Sequence, residues 1–148
     1  MKEHNRLRIA RLTARYAERR KQPSSIEPAV FLTEFEARCH HVLQPVLEEV
    51  AAELRCAGHD PQIVRGSDPS RPSLELALGL QGAQAKRNVV GFTVIHRAGH
   101  PLEIQSYVEV TPPPFDLDRF TDPRQLTAEV AERIVLEGLE HVLSCNAP

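Results

Sequence analysis

The chain has 148 residues, 41% of them hydrophobic and 26% charged, and a formal charge of −2. That is one ordinary globular domain, long enough to bury roughly 70% of its unfolded surface without help from a metal or a disulfide. The sequence excludes three classes: no apolar run approaches the ~18 residues of a membrane span, no collagen-like repeat occurs, and three cysteines with no close pair make no disulfide framework.

Cys39, Cys56 and Cys145 are therefore expected as reduced thiols in a cytoplasm. Met1 to Arg8 is polar and basic with no apolar stretch behind it, so no secretory signal is expected.

The charge is unevenly divided. Residues 1–22 hold eight basic residues against Glu3 and Glu18, a net of +6. The remainder holds ten basic and eighteen acidic residues, a net of −8. A cationic arm on an anionic body points to an anionic partner for the arm.

The arm reads as a helix. At 100° per residue Ile9, Leu12 and Tyr16 share one face, and Arg8, Arg11, Arg15 and Arg19 form the adjacent stripe. The apolar face is thin, so such a helix is marginal alone and needs something to pack on. Three docking partners are open to it: acidic protein, including this chain's own body or a second copy, which suits it best; nucleic acid phosphates; and an anionic membrane surface.

Pro23 to Pro28, with two prolines and two serines, reads as a linker. Residues 29–57 then carry a long helical pattern. Phe35, Cys39, Val42, Val46 and Val50 recur at helical spacing, and Leu43, Leu47 and Leu54 widen the stripe. Thr33 with Glu36 fits a capping box, although the pattern could begin after Pro28. Gly58 suits the stop. Pro45 lies inside and should kink or break the helix, because its ring crowds the carbonyl of His41.

Strands come next. Gln62 to Arg65 is a short candidate after the Asp60–Pro61 turn. Leu74, Leu76, Leu78 and Leu80 alternate with Glu75, Ala77, Gly79 and Gln81, the period of a half-buried strand. Val89 to Arg97 is apolar on both parities and suits a central strand. Ala98 to Pro101 is a hairpin turn, and Leu102 to Val110 alternates again, with Glu103, Gln105, Tyr107 and Glu109 on one side. Pro112, Pro113 and Pro114 should end the last strand. Asp122 as cap, with Pro123 and Gln125 after it, opens a final helix whose apolar face is Leu126, Val130, Ile134, Val135, Leu139, Val142 and Leu143. It should end near Ser144.

The expected fold class is α+β in two layers. A four-stranded antiparallel meander is covered on one face by the long Pro-kinked helix and the C-terminal helix, preceded by a separate basic helical arm. The domain division is residues 1–22 as arm, 23–28 as linker and 29–148 as a single α+β domain. The uncovered face would carry Glu75, Thr93, Arg97, Glu103, Gln105, Tyr107 and Glu109.

Catalytic signatures are thin. The seven histidines include no pair at i and i+4 within a helical pattern, and Cys39, His40 and His41 point to different sides of a helix. Glu103 and Glu109 are ~20 Å apart along an extended strand, beyond the reach of paired acid–base work. Asp116 and Asp118 lack the other ligands of a calcium loop. The stretch Gly79 to Asn88 leads into a strand rather than the helix a phosphate loop needs, so it reads as a hairpin loop with a basic tip, Lys86 and Arg87. No metal and no cofactor is expected.

The function expected from sequence is therefore a non-catalytic, partner-binding module of the adaptor, chaperone-like or regulatory kind. It would use Arg8, Arg11, Arg15, Arg19, Ile9, Leu12 and Tyr16 on the arm, and Tyr107 and Arg97 on the exposed sheet face. A protein partner or self-association is expected. The first alternative is nucleic-acid binding through residues 1–22. The second is a small enzyme whose base comes from His40, His41, His96 or His100 in a pocket between helices and sheet.

Overall fold

The structure, a computed structural model, describes residues 2–21, 26–80 and 87–147, and within the first helix the side chains as far as Arg15. That helix, α1, spans Glu3–Lys21. A second helical rod runs as α2 (Pro28–Arg38), a wide π-turn (Cys39–Leu43) and α3 (Gln44–Cys56). Five strands come after it: β1 (Asp60–Arg65), β2 (Ser73–Gly79), β3 (Val89–His96), β4 (Leu102–Glu109) and β5 (Phe115–Phe120). A 3-10 turn (Pro123–Gln125) leads to α4 (Ala128–Asn146).

Pro28 begins the rod. A proline in the first turn forfeits an N–H that has no partner there anyway. Thr33 is therefore inside the helix rather than a cap, and its hydroxyl donates to the Ala29 carbonyl at 2.9 Å. The disturbance expected at Pro45 takes a definite form. The turn before it widens, and the Gln44 N–H bonds the Cys39 carbonyl five residues back. A wide turn makes room for the proline ring against the preceding carbonyls. Gly58 (φ 92°) stops α3, and the His59 N–H closes on the Leu54 carbonyl at 3.0 Å.

The strands form one antiparallel meander in the order β1-β2-β3-β4-β5. The expected sheet of four strands is thus corrected to five. β5 pairs with β4 along Ile104↔Phe120 to Val108↔Phe115, with a register shift at Ser106/Tyr107. The triple proline ends β4, as expected, but the chain turns back beyond it into an edge strand.

The helix start is also corrected. Asp122 and Gln125 close their reciprocal cap on the 3-10 turn, and Leu126 (φ −81°, ψ 83°) leaves helical backbone and buries completely. Thr127 then caps α4, accepting the Val130 N–H at 3.3 Å. α4 continues to Asn146, two residues past the expected end.

One sheet face meets the helices. Leu74, Leu76 and Leu78 of β2, Val90, Phe92 and Val94 of β3, and Ile104 and Val108 of β4 pack with Phe31, Phe35, Leu43, Leu47, Ile134 and Val135 in one buried cluster. α3 lies over β1 and β2, and α4 over β3, β4 and β5. α4 approaches β3 closely at Gly138, where a Cβ would stand 2.7 Å from Val90. No helix among the described residues is long and apolar enough to cross a membrane.

Candidate partner-binding surfaces

α1 comes first. Its arginines, alanines and leucines are strong helix formers, and Thr13 is satisfied internally by donating to the Ile9 carbonyl at 2.9 Å. Every described side chain of α1, residues 3–15, is exposed, including Ile9 at 48% and Leu12 at 54%. Arg8, Arg11 and Arg15 join no ion pair among the described residues. The expected stripe is therefore a helix with its cations and its apolar groups both turned to water. Leu7, 55% exposed, lies 200° around the helix from Ile9 and outside that stripe. The side chains of Tyr16 and Arg19 lie outside the described residues, as does Lys86 of the expected basic tip.

A complementary feature sits between α3 and α4. There Val46, Val50, Ala52 and Leu136 line an open groove of about 390 Å³ together with Glu49, Glu53 and Glu132; Val46 is buried, Val50 half-buried and the others exposed. Glu49 and Glu53 are one turn apart on α3; Glu132 and Leu136 are one turn apart on α4. All three carboxylates are exposed and none joins an ion pair among the described residues. Leu136 is 52% exposed. Helical periodicity places these glutamates on the polar side of their helices. Their convergence depends on how α3 and α4 pack, which periodicity in one helix does not report.

No family model, curated protein or solved structure matches the chain.

The sheet face turned away from the helices is less available than its sequence suggests. Gly91 of β3 lies between Glu75 and Tyr107 in the register. Having no side chain, it lets the Tyr107 ring lie flat across β3; a Cβ there would stand 2.7 Å from the ring. The Tyr107 hydroxyl reaches across to donate to Glu75. Arg87 bridges Glu75 at 3.3 Å and Glu109 at 3.2 Å. Next to Arg87, Asn88 takes a left-handed backbone (φ 50°) and is held by the Asn146 side-chain amide at 2.9 Å.

Tyr107 is consequently 9% exposed and Glu109 7%. Burial, and after it the Glu75 contact, push the Tyr107 hydroxyl well above its ordinary range. Arg97 pairs with Glu103 at 2.7 Å, and Gln105, Asp116 and Arg119 form a further linked set. This face holds its charges against one another, with Tyr107 buried against Gly91 and Glu75, and Arg97 partly exposed beside Glu103.

The groups that could carry chemistry are scattered. Cys39 is 1% exposed, and burial with the nearby Glu36 charge pushes its thiol up to about 12, the opposite of an activated nucleophile. His40 and His41 touch edge to face at 4.7 Å on the π-turn. His141 and Cys145 form a further pair, at i and i+4 on α4. Their Nε2 and Sγ lie 3.6 Å apart, and Phe115 of β5 stacks on the imidazole at 5.5 Å. The signal is present in the sequence as His-x-x-x-Cys spacing. Both groups are exposed, on the flank of α4 that meets β5. Among the described residues no group of three or more His, Cys, Asp or Glu is placed to hold a metal ion.

Proposed function

We propose that the chain is a non-catalytic partner-binding module that captures an acidic, partly apolar protein surface with α1. The observation that carries this reading is the exposure of Ile9 and Leu12 beside Arg8, Arg11 and Arg15, whose cations have no ion-pair partner among the described residues. Phosphates would engage the arginines and leave the two aliphatic side chains in water. A protein groove engages both, and burying one aliphatic side chain is worth ~1.5–3 kcal/mol.

The test places a photo-reactive benzoylphenylalanine at position 12 of the full chain and irradiates cells that make it. Protein adducts are expected, lost when Arg8, Arg11 and Arg15 are changed to Glu. Adducts to nucleic acid alone, or no intermolecular adducts, overturn the reading.

A further inference from the structure

We infer that the surface α1 captures is the α3–α4 groove of a second copy of the same chain, each copy lending its helix to the other. This rests on the partner-capture reading above and gives it an occupant.

The groove fits in kind. Its lining sets aliphatic side chains (Val46, Val50, Leu136) beside three carboxylates without ion-pair partners among the described residues. α1 presents the converse, two aliphatic side chains beside a row of arginines. The spacings also agree. Glu49 and Glu53 stand four residues apart, a rise of ~6 Å, and so do Arg11 and Arg15. With Ile9 and Leu12 set against Val46 and Val50, the arginine row, offset around the helix, falls to one side of the groove.

The partner is a second chain because the chain's own α1 leaves the groove open. All its described side chains are exposed, and so are Glu49, Glu53, Glu132 and Leu136. Each chain carries one helix and one groove, so reciprocal docking uses both and closes at two copies. A two-fold axis makes the same contact twice and leaves no unmatched surface to propagate. The net charge of −2 opposes the meeting of two copies only weakly.

Sedimentation equilibrium on the full chain tests this directly. Twice the chain mass is expected, with dimer affinity falling at least tenfold at 1 M salt, where the Debye length is ~3 Å. A helix variant (Arg8→Glu, Arg11→Glu, Arg15→Glu) and a groove variant (Glu49→Lys, Glu53→Lys, Glu132→Lys) should each sediment as single chains. Mixed in equal amounts they should recover twice the chain mass, because each helix then faces a groove of opposite sign. All six positions are exposed, and unchanged circular dichroism of the body confirms folding.

A wild-type chain of single mass at every concentration overturns the inference, as does a dimer indifferent to both variants, or a mixture that stays monomeric. A single-mass chain whose position-12 probe still labels a different protein overturns the dimer and leaves partner capture standing. Absence of protein adducts removes both.

Discussion

α1 and α4 are both 19 residues long, and they are helices for different reasons. α4 buries Ala131, Ile134, Val135, Gly138, Leu139 and Val142 against the sheet. α1 buries none of its described side chains. The first is held by packing. The second depends on propensity, which leaves an isolated helix marginal in water. A helix none of whose described side chains is covered would gain most of its stability from a surface it docks on. The two helices should therefore respond oppositely to substitution: changes in α4 act on folding, and changes in α1 act on association.

The largest effect should come from the packed helix. Ile134 is fully buried, and Ile134→Ala removes its side chain from the buried cluster under the sheet. We expect a loss of about 2–5 kcal/mol in urea unfolding. The buried layer should also make the body sensitive to alkali. Cys39 lies in the π-turn that α4 touches. Its thiol has an ordinary value of 9.0 and is pushed up to about 12 by burial. Above pH 9 the unfolded chain gives up a proton that the folded chain keeps. Stability should therefore fall with rising pH, by about 1.4 kcal/mol per unit between those values. Tyr107, raised in the same direction, should steepen the fall above its own ordinary range. Cys39→Ala should show a shallower alkaline slope in the same unfolding series, and an unchanged slope would remove the thiol as its source.

Smaller effects come from the two glycine contacts. Gly138→Ala should gain helix propensity of up to ~1 kcal/mol and lose more by pressing a Cβ against Val90, a stiff buried neighbour. A net loss of about 1–2 kcal/mol is expected, and a stabilised variant would show that α4 has room to retreat from β3. On the opposite sheet face, Tyr107→Phe removes the hydroxyl donated to Glu75 and leaves the Arg87 pairing in place. A loss of about 1 kcal/mol is expected, read as a shift in the denaturant midpoint.

The legible and illegible parts of this fold divide along the same line between local pattern and assembly. α1, the rod from Pro28, β2, β3 and β4 show in single-segment periodicity, because each repeats at 3.6 or 2 residues over most of its length. β5 does not. Its six residues, Phe-Asp-Leu-Asp-Arg-Phe, carry three charges, and its pairing shifts register against Ser106/Tyr107, so no clean alternation survives. The cap at Asp122 is legible as a cap, but the length of the turn it opens is decided by Leu126, whose burial breaks that turn before α4 begins. Strand parity puts Tyr107 on the uncovered face, where it would serve as an exposed anchor. Its burial comes from the missing side chain at Gly91, a residue on the neighbouring strand. The arm is legible as a cationic helix. The groove that suits it is not, because Glu49, Glu53 and Glu132 converge only when α3 and α4 are packed.

The smallest effect on folding should come from α1, and it sharpens the comparison most. Ile9→Asp with Leu12→Asp changes two exposed side chains on a helix whose described side chains are all exposed. The body's unfolding midpoint should move by no more than about 0.5 kcal/mol, the usual range for surface positions. In the proposed dimer the same double variant would set two carboxylates against a groove lined by Val46, Val50, Leu136 and the carboxylates of Glu49, Glu53 and Glu132. Self-association measured by sedimentation should then be lost. If instead the double variant unfolds the body, α1 is a structural helix like α4, and the division between a folding helix and a docking helix fails.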